Sequence, residues 1–281
     1  MKFLRNYQIT ITSPAGYTVK IEPPFSADIQ VDRSMRASMN NCDITLYNLA
    51  PSTRAVIYKD KYTWTQYWQM SVMAGYENNL FQIFLGNITE AYSYKQNTDW
   101  ITKIVAYDGS YQINNGFIAQ SFSSGTNIKD IIKQGVTSLP KMLFGSMGSA
   151  TDGTLSRGFV ALGNPFESIN TLTNNEAFVD EETLHVLGNT EVLKGDVFLL
   201  DGNNIFETPR RRDAYLEITT IFSPEIKIAR IGQIKSADTR YNGQYQIWGV
   251  KHTLSVRGDS AGDATTELSL NAGAKVFSEV S

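Results

Sequence analysis

One cysteine and two histidines are all that 281 residues offer of the side chains most used for metal binding and nucleophilic catalysis. The single Cys42 excludes an internal disulfide and any cysteine-rich metal site. No apolar run is long enough to cross a bilayer, and the opening MKFLRNYQITITSPAG turns polar before it could serve as a signal peptide. The chain is therefore expected to be made and kept in a cytosol. No Gly-rich phosphate loop, nucleophile elbow or dinucleotide fingerprint is present.

A basic surface is also missing. The net charge is -3, from 25 basic and 28 acidic side chains. Residues 1–110 and 206–281 are nearly balanced, whereas 111–205 are acidic. Nothing in this distribution offers the basic face that gripping duplex DNA requires. The run Arg210 to Arg212 is the exception, and it reads as a solvated loop or a contact for an acidic partner.

What is abundant is β-forming sequence: 14 Tyr and 14 Phe, with frequent Thr, Ile and Val. YQITITS, YTVKIE, ADIQVD, NCDITLYNL, WQMSVMAGY, LFQIFLGNITEAYSY and WITKIVAYDG alternate at period two, so the first 110 residues predict an antiparallel sheet. Cys42, Ile44 and Leu46 form the buried row of one such strand. Glu77-Asn78-Asn79 marks a hairpin, and APSTRAVIYKD a short helix with Pro51 in its first turn.

Residues 111 to 205 have a different texture. GTNIKDIIKQGVTSL and NPFESINTLTNNEAFV carry apolar residues at helical spacing, Ile128, Ile131, Ile132 and Val136 in the first, Phe166, Ile169 and Leu172 in the second. Between them, PKMLFGSMGSATDGTLSRGF predicts a long exposed loop or a mobile surface segment. FVDEETLHVLG and DVFLLDG read as short strands. Residues 206–281 return to long strands, AYLEITTIFS, EIKIARIGQIKS, GQYQIWGVKHTLSV and TTELSLNAG, with RGDSAGD as a turn. The fold class is mainly β with an α+β insert: β-barrel or sandwich domains at 1–110 and 206–281 flanking a small α+β domain at 111–205.

The chemical candidates are few. His252 lies on the apolar row of its strand with Trp248, Val250, Leu254 and Val256, which predicts a hydrogen-bonded core residue. His185 stands near Asp180, Glu181 and Glu182, but without ligand spacing the acidic run reads as a solvated turn. No catalytic, cofactor-binding or metal-binding residue is assigned. A cell-wall hydrolase would draw on carboxylates such as Glu176 and Glu181. A glycan- or cell-surface-binding module would use Trp64, Tyr67 and Trp68 as an aromatic platform.

Two groups of motifs resemble a known family. NNCDITLYNLAPSTRAVI, MSVMAGYENNLFQIFLGNIT and IVAYDG are similar to the opening domain of tailed-bacteriophage baseplate hub, or tail hub, proteins. IFSPEIKIARIGQIKS, NGQYQIWGVKHTLSVRGD and TTELSL are similar to the closing domain. The loop in VRGDSAGDATTEL departs from the pattern, being short and lacking an aromatic before the last strand.

The resemblance implies a structural, non-enzymatic protein of the virion tail, assembled in the host cytoplasm. It also implies two tail-tube-like domains per chain, so that a homotrimer presents six to a six-fold tail tube and three-fold symmetry to a spike or tail-tip protein. Other baseplate subunits are further partners, and DNA is only a transient cargo of the lumen. On the last strand, Thr265, Glu267 and Ser269 would suit a pore wall, with Thr266, Leu268 and Leu270 packed inside; an ordinary solvated outer face gives the same alternation.

Overall fold

Alternation of apolar and polar residues decides which face each strand buries. The computed structural model describes residues 4–36, 39–257, 262–273 and 277–280. The first segment forms β1 (Arg5–Thr12), β2 (Thr18–Ile21), β3 (Ala27–Ser34), β4 (Asn41–Tyr47), α1 (Pro51–Ile57), β5 (Gln69–Tyr76), β6 (Asn79–Gln96) and β7 (Asp99–Tyr107). Pro51 opens α1, where its missing amide leaves no bond unmade. Glu77 sits at positive φ in the tight β5–β6 turn.

The middle contributes α2 (Ser110–Asn115), β8 (Ile118–Phe122), α3 (Ile128–Thr137), β9 (Leu143–Met147), β10 (Phe159–Gly163), α4 (Pro165–Leu172), β11 (Ala177–Asp180), β12 (Thr183–Val186), β13 (Glu191–Leu193) and β14 (Val197–Asp201). Asn127 and Asn164 cap α3 and α4 by accepting from Lys129 N and Phe166 N, 2.8 and 2.9 Å away. The last segment adds β15 (Arg210–Arg212), β16 (Tyr215–Ile221), β17 (Ile231–Lys235), β18 (Gly243–Val256), β19 (Ala264–Asn271) and β20 (Ser278–Val280). The fold class is the expected one, mainly antiparallel β with an α+β middle. The turn read at RGDSAGD falls largely on residues 258–261, outside the described residues.

A 13-stranded sheet is the frame. Its path runs β15-β16-β19-β18-β3-β4-β7-β6-β5-β1-β2, with β17 on the first part of β18 and β14 beyond it. The join between the two ends of the chain is β3 on β18, antiparallel from Ser34 opposite Gly249 to Ala27 opposite Val256. Both long strands change partner along their length. β6 pairs β5 up to Asn87 and β7 from there on, with a bulge at Ile88/Glu90. β18 pairs β17 over Gly243–Gln246 and β3 from Gly249, with a bulge at Ile247/Gly249. A bulge bends a strand and raises its twist, which lets one strand serve two pairings.

Three buried clusters follow the three segments. The first gathers Ile9, Ile11, Val31, Ile44, Leu46, Val72 and Ile104, joined by Phe222 and Leu254 from the last segment. The second gathers Leu216, Ile218, Ile234, Ile247, Val250, Leu268 and Leu270, joined by Met35 and Phe178. The third packs Ile132, Val136, Phe166 and Ile169 of α3 and α4 against Val179, Leu184 and Val186. Of the helical apolar rows, Leu172 stays half-buried and Ile128 packs at the margin.

Two readings of the middle are corrected. The stretch expected as a long exposed loop or mobile segment contains one strand, β9, which runs parallel to β12, and ends where β10 begins to pair antiparallel with β8. Gly145 belongs to β9 because its neighbour demands it; a Cβ there would lie 2.6 Å from His185 Nδ1. The acidic run Asp180-Glu181-Glu182, expected as a solvated turn, is the second correction. Glu181 and Glu182 both take positive φ in the two-residue β11–β12 hairpin, and Asp180 and Glu182 are buried.

That hairpin turn is held by the first segment. Arg33 lies on the inward row of β3 between Val31 and Met35 and is 1% exposed. Its Nη2 donates to Asp180 Oδ1 and Oδ2 at 2.7 and 2.6 Å, and its Nε to Oδ1 at 3.0 Å. Glu181 stands 3.5 Å from the same Nη2 and accepts from Lys227 Nζ at 2.7 Å. Glu182 accepts from Tyr67, Gln69 and Asn87, and its amide donates to Asp108 Oδ1 at 2.8 Å. Burial opposes the charge on Arg33, but the Asp180 and Glu181 carboxylates overcome it and hold the guanidinium above its ordinary value. Burial pushes the Asp108 carboxyl well up, and Asp180 adds to it.

Removing one partner of a buried ion pair leaves the other uncompensated. Arg33→Ala is expected to lower stability by about 3–5 kcal/mol in urea unfolding. Arg33→Lys should restore only part, because an ammonium cannot make the forked contact. A wild-type midpoint for either variant would contradict this reading of the knot.

Candidate functional site

The face of the sheet turned away from the cores is polar and continuous. In β19, Thr266, Leu268 and Leu270 are buried while Thr265, Glu267 and Ser269 point outward, as the alternation predicts. Register carries this row across the strands. Glu267 lies between Thr219 of β16 and Lys251 of β18, and Lys251 in turn lies opposite Asp32 of β3. Thr265, Thr253, Gln30 and Asp43 form the next row, crossing from β19 to β4.

Several cations on this face are met by carboxylates, while Arg36, in the same groove as Asp32 and Lys251, meets Asn189 and the Trp248 ring instead. Lys251 Nζ donates to Glu267 Oε1 at 3.4 Å, and Arg212 to Glu217 Oε1 at 3.1 Å. Arg257 lies 2.6 Å from Asp28, which also accepts from Ser255 and Tyr47. These donors, with the Arg257 guanidinium foremost, outweigh partial burial and hold the Asp28 carboxyl below its usual range. Arg210 to Arg212 form the short exposed edge strand β15, with Arg210 paired to Glu207. The triple arginine is thus a strand, not a loop, and at least two of its three charges are met within the chain.

His252 is on the buried side of β18. It is 1% exposed, its Nδ1 lies 3.0 Å from Thr266 Oγ1, and its ring meets Phe222 edge-on at 5.7 Å. Burial, aided by the nearby Arg33 charge, lowers its pKa to about 3, so the ring is neutral at pH 7. His185 stacks on Phe178 at 5.4 Å and accepts from Ser146 N at 3.1 Å, tying β9 to β12 where their register shifts. Burial lowers its pKa as well.

The carboxylates and aromatics considered for other chemistry are not brought together. Glu176 and Glu181 flank β11 and meet different neighbours: Glu176 lies by Gly188 and Glu191, whereas Glu181, in the β11–β12 turn, accepts from Lys227 and stands beside Arg33. Tyr67 turns inward to Glu182, and Trp68 packs against the first core, leaving Trp64 as the exposed member of the three. Cys42 is fully buried, and burial, reinforced by Asp43, pushes its thiol well up, away from reactive thiolate character.

Residues 7–261 match the family described as Baseplate hub gp41. The chain belongs to that family. Among curated proteins no sequence matches the chain. The fold is shared with a 43 kDa tail protein of prophage MuSo2 from Shewanella oneidensis, TM-score 0.65 at 9% identity, over 94% of this chain and 97% of that one. It is shared with a tail protein from Neisseria meningitidis MC58, TM-score 0.64 at 10% identity, over 96% and 98% of the two chains. The E. coli c3393 protein, a component of the type VI secretion system with structural similarity to T4 bacteriophage tail proteins gp27 and gp5, aligns with TM-score 0.58 at 7% identity, over 91% of this chain and 76% of that one.

Membership makes the chain a phage tail protein of a structural family. Among the described residues, no group of three or more His, Cys, Asp or Glu is placed to hold a metal ion, and no helix is long and apolar enough to cross a membrane. Buried polarity missed by sequence reasoning, above all Arg33 and Asp108, has one legible sign. Arg33 interrupts the apolar row Ile29, Val31, Met35.

His252 sets a pH dependence. Its folded pKa lies below the unfolded value, so between about pH 6.5 and 3 the unfolded chain binds the extra proton and stability falls as pH falls. At about 1.4 kcal/mol per unit, this histidine alone costs about 3 kcal/mol of stability on going from pH 6.5 to pH 4. In His252→Asn, with an amide in place of the ring, urea unfolding should show a correspondingly shallower acid loss. An unchanged acid slope would contradict the assignment.

Proposed function

We propose that this hub protein assembles as a homotrimeric ring in which the outward polar face of the large sheet lines a channel for DNA. Each chain contributes two tail-tube-like modules, residues 1–110 and 206–281, with the α+β insert of 111–205 between them. Three chains then offer six modules to a six-fold tail tube and three-fold symmetry to a spike or tail-tip protein. The chain acts without turnover, alongside other baseplate subunits, in a virion tail assembled in the host cytoplasm.

The observation that carries this reading is the polar face itself. It crosses from β16 to β4 without a break in pairing, spans both end segments through the β3–β18 join, and pairs Lys251, Arg212 and Arg257 with carboxylates. A passage should not grip the phosphates sliding through it, because each unmatched lysine or arginine would release counterions and add affinity. The two modules are alike in one structural device. Each is built around a long strand, β6 or β18, with a bulge where it changes partners.

Mass measurement in solution tests the ring, with a mass three times that of the 31.3 kDa chain expected, alone or on adding the spike protein. A chain that stays monomeric with both tube and spike proteins present would contradict the proposal. The channel face has its own test. Thr253→Lys with Thr265→Lys should leave assembly intact while making the ring retain duplex DNA at low salt, with the retention lost as salt rises. Equal DNA retention by wild type and variant would place this face elsewhere.

A further inference from the structure

Between the α1–β5 connection, β6 and α2 lies a pocket of 170 Å³ whose lining holds no acidic residue. Lys59, Lys61, Gln66 and Asn114 bring nitrogen donors to it, and Trp64, 56% exposed, stands at its rim. Lys59 is fixed there by its backbone. Its amide donates to Ala91 O and its carbonyl accepts from Ala91 N, both at 2.9 Å. The side chain is 5% exposed, and Nζ donates to Ile88 O at 2.5 Å.

An ammonium carries three donors, and among the described residues Ile88 O is the one acceptor to which this one donates. Burial alone lowers its pKa, to about 8, with no carboxylate contributing. Lys59 is therefore still mostly charged at pH 7, buried, and without a counter-charge from the described part of its chain. Buried charges are ordinarily paired, because an unpaired one loses its hydration with nothing in return. Arg33, equally buried, is met by Asp180 and Glu181. The contrast singles out Lys59.

We propose that the Lys59 pocket binds a carboxylate, which supplies the missing counter-charge, with Lys61, Gln66 and Asn114 as further donors. The carboxylate comes either from a free small acid or from an Asp or Glu side chain of another protein segment, whose methylene stem would lie on the Trp64 ring. This inference does not rest on the ring or channel reading and stands or falls separately from it.

The test uses the full chain and its Lys59→Met variant, which keeps the apolar stem and removes the charge. The probes are sodium acetate and the peptide acetyl-Ala-Glu-Ala-amide, against sodium chloride at equal ionic strength. Either carboxylate, but not chloride, should shift the Lys59 Cε resonance and move its titration upward towards ordinary lysine. Lys59→Met should be at least as stable as wild type without probe, yet bind both probes at least tenfold more weakly. Tighter binding of the peptide assigns the source to a protein side chain, and equal binding assigns it to a free acid; both uphold the site. A Lys59 signal that responds to chloride and carboxylates alike would overturn it, as would undiminished binding by Lys59→Met. Should that variant fail to fold, the Lys59 resonance of the wild-type chain alone still decides.

Discussion

The contact on which the architecture depends is the forked pair of Arg33 with Asp180. Arg33 stands at the seam of β3, between Val31 of the first core and Met35 of the second, where both cores meet the hairpin of the middle segment. A long charged side chain there would be ruinous if unpaired. Paired, it dictates where the β11–β12 turn docks. A hydrophobic replacement of similar volume could equal its stability, but it would not specify that one position. The charge reaches further, since the same guanidinium helps keep His252 neutral inside the sheet.

With the inner face committed to cores and knot, the outer face is left for function. The β3–β18 join makes that face one surface, because strands from both chain ends contribute neighbouring rows. Several of its cations are paired with carboxylates, so the surface is well hydrated and less adhesive to phosphates. This is the property a conduit needs, and the opposite of the basic stripe on proteins that hold nucleic acid. The buried ammonium of Lys59 lies apart from it, in a pocket lined by the α1–β5 connection, β6 and α2.

Much of this was legible from local pattern. Period-two rows marked β1, β3, β4, β7, β18 and β19, helical spacing marked α3 and α4, and Glu77-Asn78 marked the turn between β5 and β6. Even the facing of Thr265, Glu267 and Ser269 followed from alternation. What local pattern could not reveal was partnership. No residue of β3 announces that its edge pairs with β18 near the other end of the chain. Three consecutive carboxylates at 180–182 look solvated until an arginine from a distant strand is placed against them. Gly145 looked like a loop signal and instead makes room for His185 inside a sheet.

The central claim is that the polar face spanning both ends of the chain looks inward on a shared axis. A cryo-electron microscopy reconstruction of the assembled tail tip tests it most directly. The account predicts three copies of this chain around an open channel, with Glu267, Lys251 and Gln30 at its wall and the β11–β12 hairpin seated on Arg33. A reconstruction in which that face lies on the outer surface of the tail, or in which the copies enclose no passage, would contradict it.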